Sequence, residues 1–371
     1  MASPPPGTER ITDLDAAWAE SHHGAQLRAV RRAAERLRDR FAGGPRCVAV
    51  RTLPLTTLLY PTKYAFWNAA VSPVPFVVMT HRCLLVQFFQ QGELRTLLFN
   101  PSDYEAARAT PFFARLVEQF GERATELVQR RWEPLEAQLA SLGLRPEDID
   151  YVAFDHFHTQ DLRSLLGTED GARAPRFPNA RLLAPKREWD DWDDLHPMQR
   201  AWFVPDGKRG VLTDRVVLTD GDLLLGDGVM LLRTPGHTSG NQTLFVSTES
   251  GVWGVSENGT CADNWSPLES RIRGLGALCK RQDLDVILNA NTPEYGAEQY
   301  TSMILERTIV DRVKRAPAFV QMFPSSEVTP HILAPGIRPT VIHRAVASGE
   351  VSRVAARASS PAARDGATAS L

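Results

Sequence analysis

AFDHFHTQDLRSLLG, residues 153–167, sets two histidines one residue apart at the end of an apolar run. The residues leading into it, 149–154, read as a short strand. Side chains two apart on a strand point to the same side, so His156 and His158 converge if the extended backbone persists to its end. Two imidazoles meeting there can bind a zinc-like ion through nitrogen. A solvated polar strand end is the competing reading, and the pair alone does not choose between them. Asp155 and Asp161 flank the pair, each either a support for an imidazole or an ordinary polar residue.

A second stretch bears on that choice. RTPGHTSGNQTLFV, residues 233–246, places His237 in a tight turn between two β-type runs. Pro235 and Gly236 precede it and Gly240 follows, a composition that fixes the backbone and projects one side chain from a strand edge. His237 would be a third nitrogen ligand.

The order of these features is a helix, an Arg-Pro-Glu-Asp-Ile-Asp turn, an apolar strand, His-x-His, and a Thr-Pro-Gly-His-Thr turn about eighty residues later. It resembles the metallo-β-lactamase-fold superfamily over roughly residues 47–320, and the two motifs together are far more specific than either alone. The resemblance implies an α/β architecture: an αββα sandwich of two mixed β-sheets with outer helices and a metal site at one edge between the sheets. His156, His158 and His237 match the first metal position residue by residue.

The second metal position departs from the family. Where the family has H-x-H-x-D-H, this chain has Gln160 in place of the aspartate and Asp161 in place of the last histidine or, with a one-residue slip, Asp161 as the aspartate and Leu162 in the histidine's place; either way Asp161 is the motif's one carboxylate. The later bridging carboxylate falls in GVWGVSENGT, on Glu257 or Asn258, and Asn291 stands near the family's final histidine. Ligand types therefore predict one zinc ion rather than two, held by His156, His158 and His237, with Asp161 and Glu257 as oxygen donors. Asp161 is the expected catalytic group, orienting a water and accepting its proton, or else a support for a ligand imidazole. A zinc-activated water would attack an ester, lactone, thioester, amide or phosphoester. A catalytically degenerate protein of the same fold, acting as a ligand-binding or interaction module, is the alternative.

The rest of the chain sets limits. With 42 basic and 44 acidic residues among 371, it offers no basic field for nucleic acid and no polybasic run for a membrane surface. No apolar run reaches the ~18 residues of a membrane span. The start, MASPPPGTERITD, lacks the order of a secretory signal. The four cysteines are scattered, which predicts reduced thiols in a cytoplasmic protein; the hydrolase reading implies a small-molecule substrate. Oligomeric state is not legible in these residues.

Three segments are predicted: a leader and amphipathic helix over 1–45, the main domain over 46–342, and a weakly ordered tail over 343–371. Leu27, Val30, Ala34, Leu37 and Phe41 give the first helix its apolar stripe. CLLVQFF and LRTLLFN around Gln-Gln-Gly-Glu predict a hairpin. Leu127, Val128, Trp132, Leu135, Leu139 and Leu142 suggest one helical face. DVILNAN suggests a strand, and the twenty residues 296–315 a last long helix. Trp189, Trp192 and Trp202, in the segment 187–202, are expected either to wall a substrate site or to pack on the sandwich.

Overall fold

The computed structural model describes residues 5–332 and 334–353. Two sheets lie face to face. The larger runs in spatial order Ala347–Gly349, Ala49–Pro61, Phe76–Gln90, Glu93–Phe99, Tyr151–Ala153, Arg181–Pro185 and Val216–Thr219. The smaller runs Glu9–Ile11, Asp222–Gly226, Val229–Arg233, Gln242–Thr248, Gly251–Val255 and Met322–Phe323. Both are mixed. The predicted hairpin pairs Gln90 with Glu93, and the strands from Glu93 to Thr219 then run parallel.

Period-two alternation explains the layers. Leu84, Val86, Phe88, Leu97, Phe99, Tyr151 and Ala153 face the second sheet and meet Leu231, Leu244, Val246 and Val255. Their neighbours Cys83, Leu85, Leu98, Val152 and Phe154 face the other way, onto helices that carry Leu139, Leu165 and Trp189. The outer face of the second sheet takes the helices His23–Ala42 and Gly296–Ile309. Strands buried on both faces read as continuous apolar runs, as they do here. The αββα sandwich implied by the resemblance is the observed fold.

The first helix is built into this sandwich rather than preceding it. Val30, Ala34 and Leu37 lie in one core with Met303 and Ile304, and Glu9–Ile11 pairs with Asp222–Leu224. Three of its six arginines make ion pairs, Arg31 with Asp285, Arg38 with Asp311 and Arg40 with Asp13. At the other end, residues 343–353 are not the loose tail expected of them. Ala347–Gly349 pairs with Ala49–Arg51, and His343 is buried. The remainder of that segment, 354–371, lies outside the described residues.

Three other expectations give way to tertiary contacts. The helical face over 127–142 breaks into Glu122–Leu127 and Leu135–Ser141, leaving Leu127 81% exposed. Between them Thr57 and Trp132 exchange backbone bonds with Arg130 and Leu55, and Pro134 ends the pairing. DVILNAN forms no strand, because its amides are divided among the carbonyls of Asn264, Asn258 and Tyr64. The last long helix stops at Ile309, where Asp311 turns back to receive the Val252 amide, and the residues beyond it form a small hairpin.

Candidate metal centre

The site lies where the long strand Phe76–Gln90 changes neighbours. Its second half pairs with Glu93–Phe99, whereas residues 78–81 pair with Ser326–Thr329 on the same edge. The ends of Tyr151–Ala153 and of Glu93–Phe99 open into the space between, which forms a cavity of about 90 Å³.

The chain leaves Phe154 and is caught at Asp155. Asn100, in a left-handed conformation (φ 57°), donates through Nδ2 to Asp155 Oδ2 at 2.9 Å and accepts the Asp155 amide at 3.1 Å. The other carboxylate oxygen of Asp155 holds His156 Nδ1 at 2.7 Å. Phe157 turns outward into the core against Trp192, so His156 and His158 share one side, as their spacing predicts.

His237 arrives from the turn between Arg233 and Gln242. A Cβ on Gly236 would lie 2.3 Å from Gln299 Cα, so this turn sits against the helix Gly296–Ile309 and tolerates only glycine there. The His237 amide donates to Asn258 Oδ1 at 3.0 Å. One ring nitrogen from each of His156, His158 and His237 then lies within 4.8 Å of the others, and all three residues are buried.

Do these residues fit a metal ion? Two nitrogens each ~2.0–2.1 Å from a tetrahedral ion lie roughly 3.4 Å apart. His158 Nδ1 and His237 Nε2 are separated by 3.2 Å. Burial, and then the neighbouring imidazoles, push the proton affinities of His158 and His237 well below the ordinary histidine range. Neutral imidazoles are the ligand form. Burial opposes protonation of His156 as well, but Asp155 outweighs it and raises this group. Asp155 also fixes His156 Nδ1 as the protonated nitrogen and leaves Nε2 free to ligate. The donor set fits a zinc-like ion.

The oxygen-bearing residues are placed less uniformly. Asp161 does not line the cavity. It caps the helix Leu162–Leu166, accepting the Arg163 amide at 3.0 Å and the guanidinium at 2.8 and 2.6 Å. Burial pushes its carboxyl up, but Arg163 prevails and holds it below the carboxylate range. The placement expected of it, at the centre, is therefore corrected. Gln160 does line the cavity, with Nε2 donating to Ser102 Oγ and the His158 carbonyl.

Of the two candidates for the bridging place, Glu257 is at the cavity wall and Asn258 is not. Glu257 lines the cavity and accepts the Ser326 amide at 2.7 Å; burial, and next the Asp155 charge, push its carboxyl up to about 8. Asn258 faces the other way, onto Glu306 at 2.8 Å. Asn291 lines the cavity with an Oδ1 that has no hydrogen bond.

Several functional neighbours carry no motif. His81 lines the cavity from Phe76–Gln90, with Nδ1 2.9 Å from Ser326 Oγ, and burial lowers it to about 4. Glu188, buried, accepts the amides of Phe157 at 2.9 Å and Gly240 at 3.3 Å, so one carboxylate bridges both histidine-bearing loops. Gln199 Oε1 lies 2.7 Å from His158 Nε2, and its Nε2 donates to Glu294 Oε1 at 2.7 Å. All three tryptophans of 187–202 are buried, and only Trp202 of them walls the cavity, 6.0 Å from the His158 ring. His196, in the same segment, is turned to the Met198 amide and away from the centre.

No family model matches the chain. An N-acyl homoserine lactonase from Bacillus sp is 28% identical over 111 residues, 30% of this chain and 38% of that protein. The N-acyl homoserine lactonase AttM of Azorhizobium caulinodans is 31% identical over 125 residues, 32% of this chain and 44% of that protein. The chain thus spans less than half the length of the curated relatives it matches. The crystal structure of a probable metal-dependent hydrolase from Staphylococcus aureus superposes with a TM-score of 0.50 at 14% identity, covering 70% of this chain and 83% of that one. The chain thus has the metallo-β-lactamase fold, with a cluster of three histidines at the edge between its sheets.

Proposed function

We propose that the chain is a metal-dependent hydrolase of small carbonyl or phosphoryl substrates, with His156, His158 and His237 holding one zinc ion. The observation that carries this reading is the meeting of three buried ring nitrogens within 4.8 Å at the base of a cavity. When bound, such an ion supplies a water of lowered pKa and a positive charge for the oxyanion.

The protein's own groups do the rest. Three carboxylates line the cavity. Asp155 is engaged by His156 and Asn100, and Asp103 caps the helix Tyr104–Arg108. Glu257 is the one left to orient a water by hydrogen bonding, the role the sequence suggested for Asp161. Leu58, Met79, Phe113 and Trp202 give the cavity an apolar wall that excludes bulk water and receives the substrate's hydrocarbon part. A long chain on the substrate would extend toward solvent along the partly exposed Tyr104 and Arg108 of the lining. A lactone is the favoured substrate, supported by the two relatives, which are N-acyl homoserine lactonases. The free state of all four cysteines supports a cytoplasmic site of action. No helix among the described residues is long and apolar enough to cross a membrane.

The experiment is elemental analysis of protein purified without added metal, followed by turnover of a panel of lactones, esters, thioesters and phosphodiesters. About one zinc per chain, lost in His156→Ala/His158→Ala, together with turnover of one class, is the expected result. The binding-module reading draws on one observation, the replacement of second-site ligands by Gln160 and Asn291. Stoichiometric metal without turnover of any class would establish it instead.

A further inference from the structure

We propose that Glu294, which makes no contact with the three-histidine cluster, selects the imidazole tautomer of His158 through the side-chain amide of Gln199. The inference rests on the reading of His158 as a metal ligand. It follows from donor and acceptor bookkeeping. A carboxylate only accepts, so Glu294 Oε1, 2.7 Å from Gln199 Nε2, fixes which way that amide faces. Gln199 Oε1 is thereby turned to His158 Nε2, again at 2.7 Å.

A carbonyl oxygen also only accepts, so the His158 proton sits on Nε2. Nδ1 is left as a bare lone pair, and it is the nitrogen that faces His237 Nε2 at 3.2 Å. With the amide reversed, an NH₂ group would meet His158 Nε2, the proton would shift to Nδ1, and an N–H would point into the cluster where a ligand is needed. Water cannot easily substitute in either role, because Gln199 is 6% and His158 4% exposed. The relay joins two parts of the chain that look unrelated in sequence, the tryptophan-rich segment and the turn Pro293–Tyr295.

Glu294 and Gln199 are positioning residues, and the test reads position before activity. Histidine-¹⁵N-labelled protein, stripped of metal, is compared by imidazole ¹⁵N shifts with Glu294→Gln and with the exchanged pair Gln199→Glu/Glu294→Gln. Zinc affinity of each is measured by competition with a chromophoric chelator. Wild type should hold His158 as the Nε2–H tautomer. Glu294→Gln, whose amide no longer dictates a direction, should mix the tautomers and weaken zinc about ten-fold. The exchanged pair should restore both, since a carboxylate at 199 accepts the imidazole N–H and an amide at 294 donates to it.

Unchanged tautomer and affinity in Glu294→Gln would overturn the inference, as would an exchanged pair no better than the single variant. A wild type that binds no zinc would instead overturn the metal reading. The tautomer shifts of the metal-free proteins would still judge the role of Glu294.

Discussion

The two halves of this centre have been treated differently by the sequence. On the histidine side two of the three ligand rings have an acceptor that orients them, Asp155 for His156 and Gln199 for His158. On the opposite side the oxygen groups serve the scaffold. Gln160, at the cavity wall, bonds Ser102, Asp161 caps a helix and Asn258 braces Glu306, while Glu257 and Asn291 face the cavity. A ligand set is thus more than residue types near a point. The supported half can hold an ion, and the half whose groups point elsewhere would need rebuilding.

That comparison can be broken most directly on its strong side. His237→Ala should abolish stoichiometric zinc and with it turnover, read by elemental analysis and a lactone assay. Glu188→Ala should come next. It strips acceptors from two buried amides in the loops that carry the histidines, costing ~2–4 kcal/mol in urea denaturation and lowering zinc affinity. On the weak side, Gln160→Asp with Asn291→His should raise bound metal from about one toward about two ions per chain, because both positions line the cavity. Metal content unchanged in that variant would mean that geometry as well as ligand type has been lost there. Asp161→Ala should have a small effect, ~1 kcal/mol of stability through the lost cap, with turnover within about two-fold of wild type. A much larger loss of turnover would return Asp161 to the chemistry.

A pH measurement separates the scaffold from the site. Glu306 is buried beneath the centre, where burial pushes its carboxyl up to about 7 although Asn258, Thr243 and Trp265 all donate to it. The folded state then binds a proton that the unfolded chain has already released. This contribution to stability is complete below the ordinary value of 4.5 and is lost as pH rises toward 7. Glu306→Gln should lack that slope, which then appears as the pH dependence of the difference between wild-type and variant stabilities, while zinc affinity changes little.

Much of this was legible in the chain. Alternating apolar runs gave the strands, and the two histidine motifs gave the cluster, because local spacing on a strand and the composition of a turn decide where those rings point. What escaped had no local signature. A lone glutamate in Lys186–Asp191 looks like any solvated helix residue until the fold sets its carboxylate between two loops. Gln199 and Glu294 meet only in three dimensions. Asp161 did carry a readable signal, since an aspartate just before an apolar helical run is an N-cap signature, but the neighbouring histidine motif offered a competing role. The strand predicted at DVILNAN failed because its partners are three separate carbonyls rather than one neighbouring strand.

The cavity wall contains Ser326, and Ala347–Gly349 closes the large sheet against residues 49–51. The strand Ala49–Pro61 therefore waits for residues far along the chain, 347–349, before its edge is covered. Closure across such a sequence separation is slow. A chain cut off before this point would be a half-built sandwich with an open edge and an unfinished pocket wall, so the ion should bind only once residues 326–349 are in place.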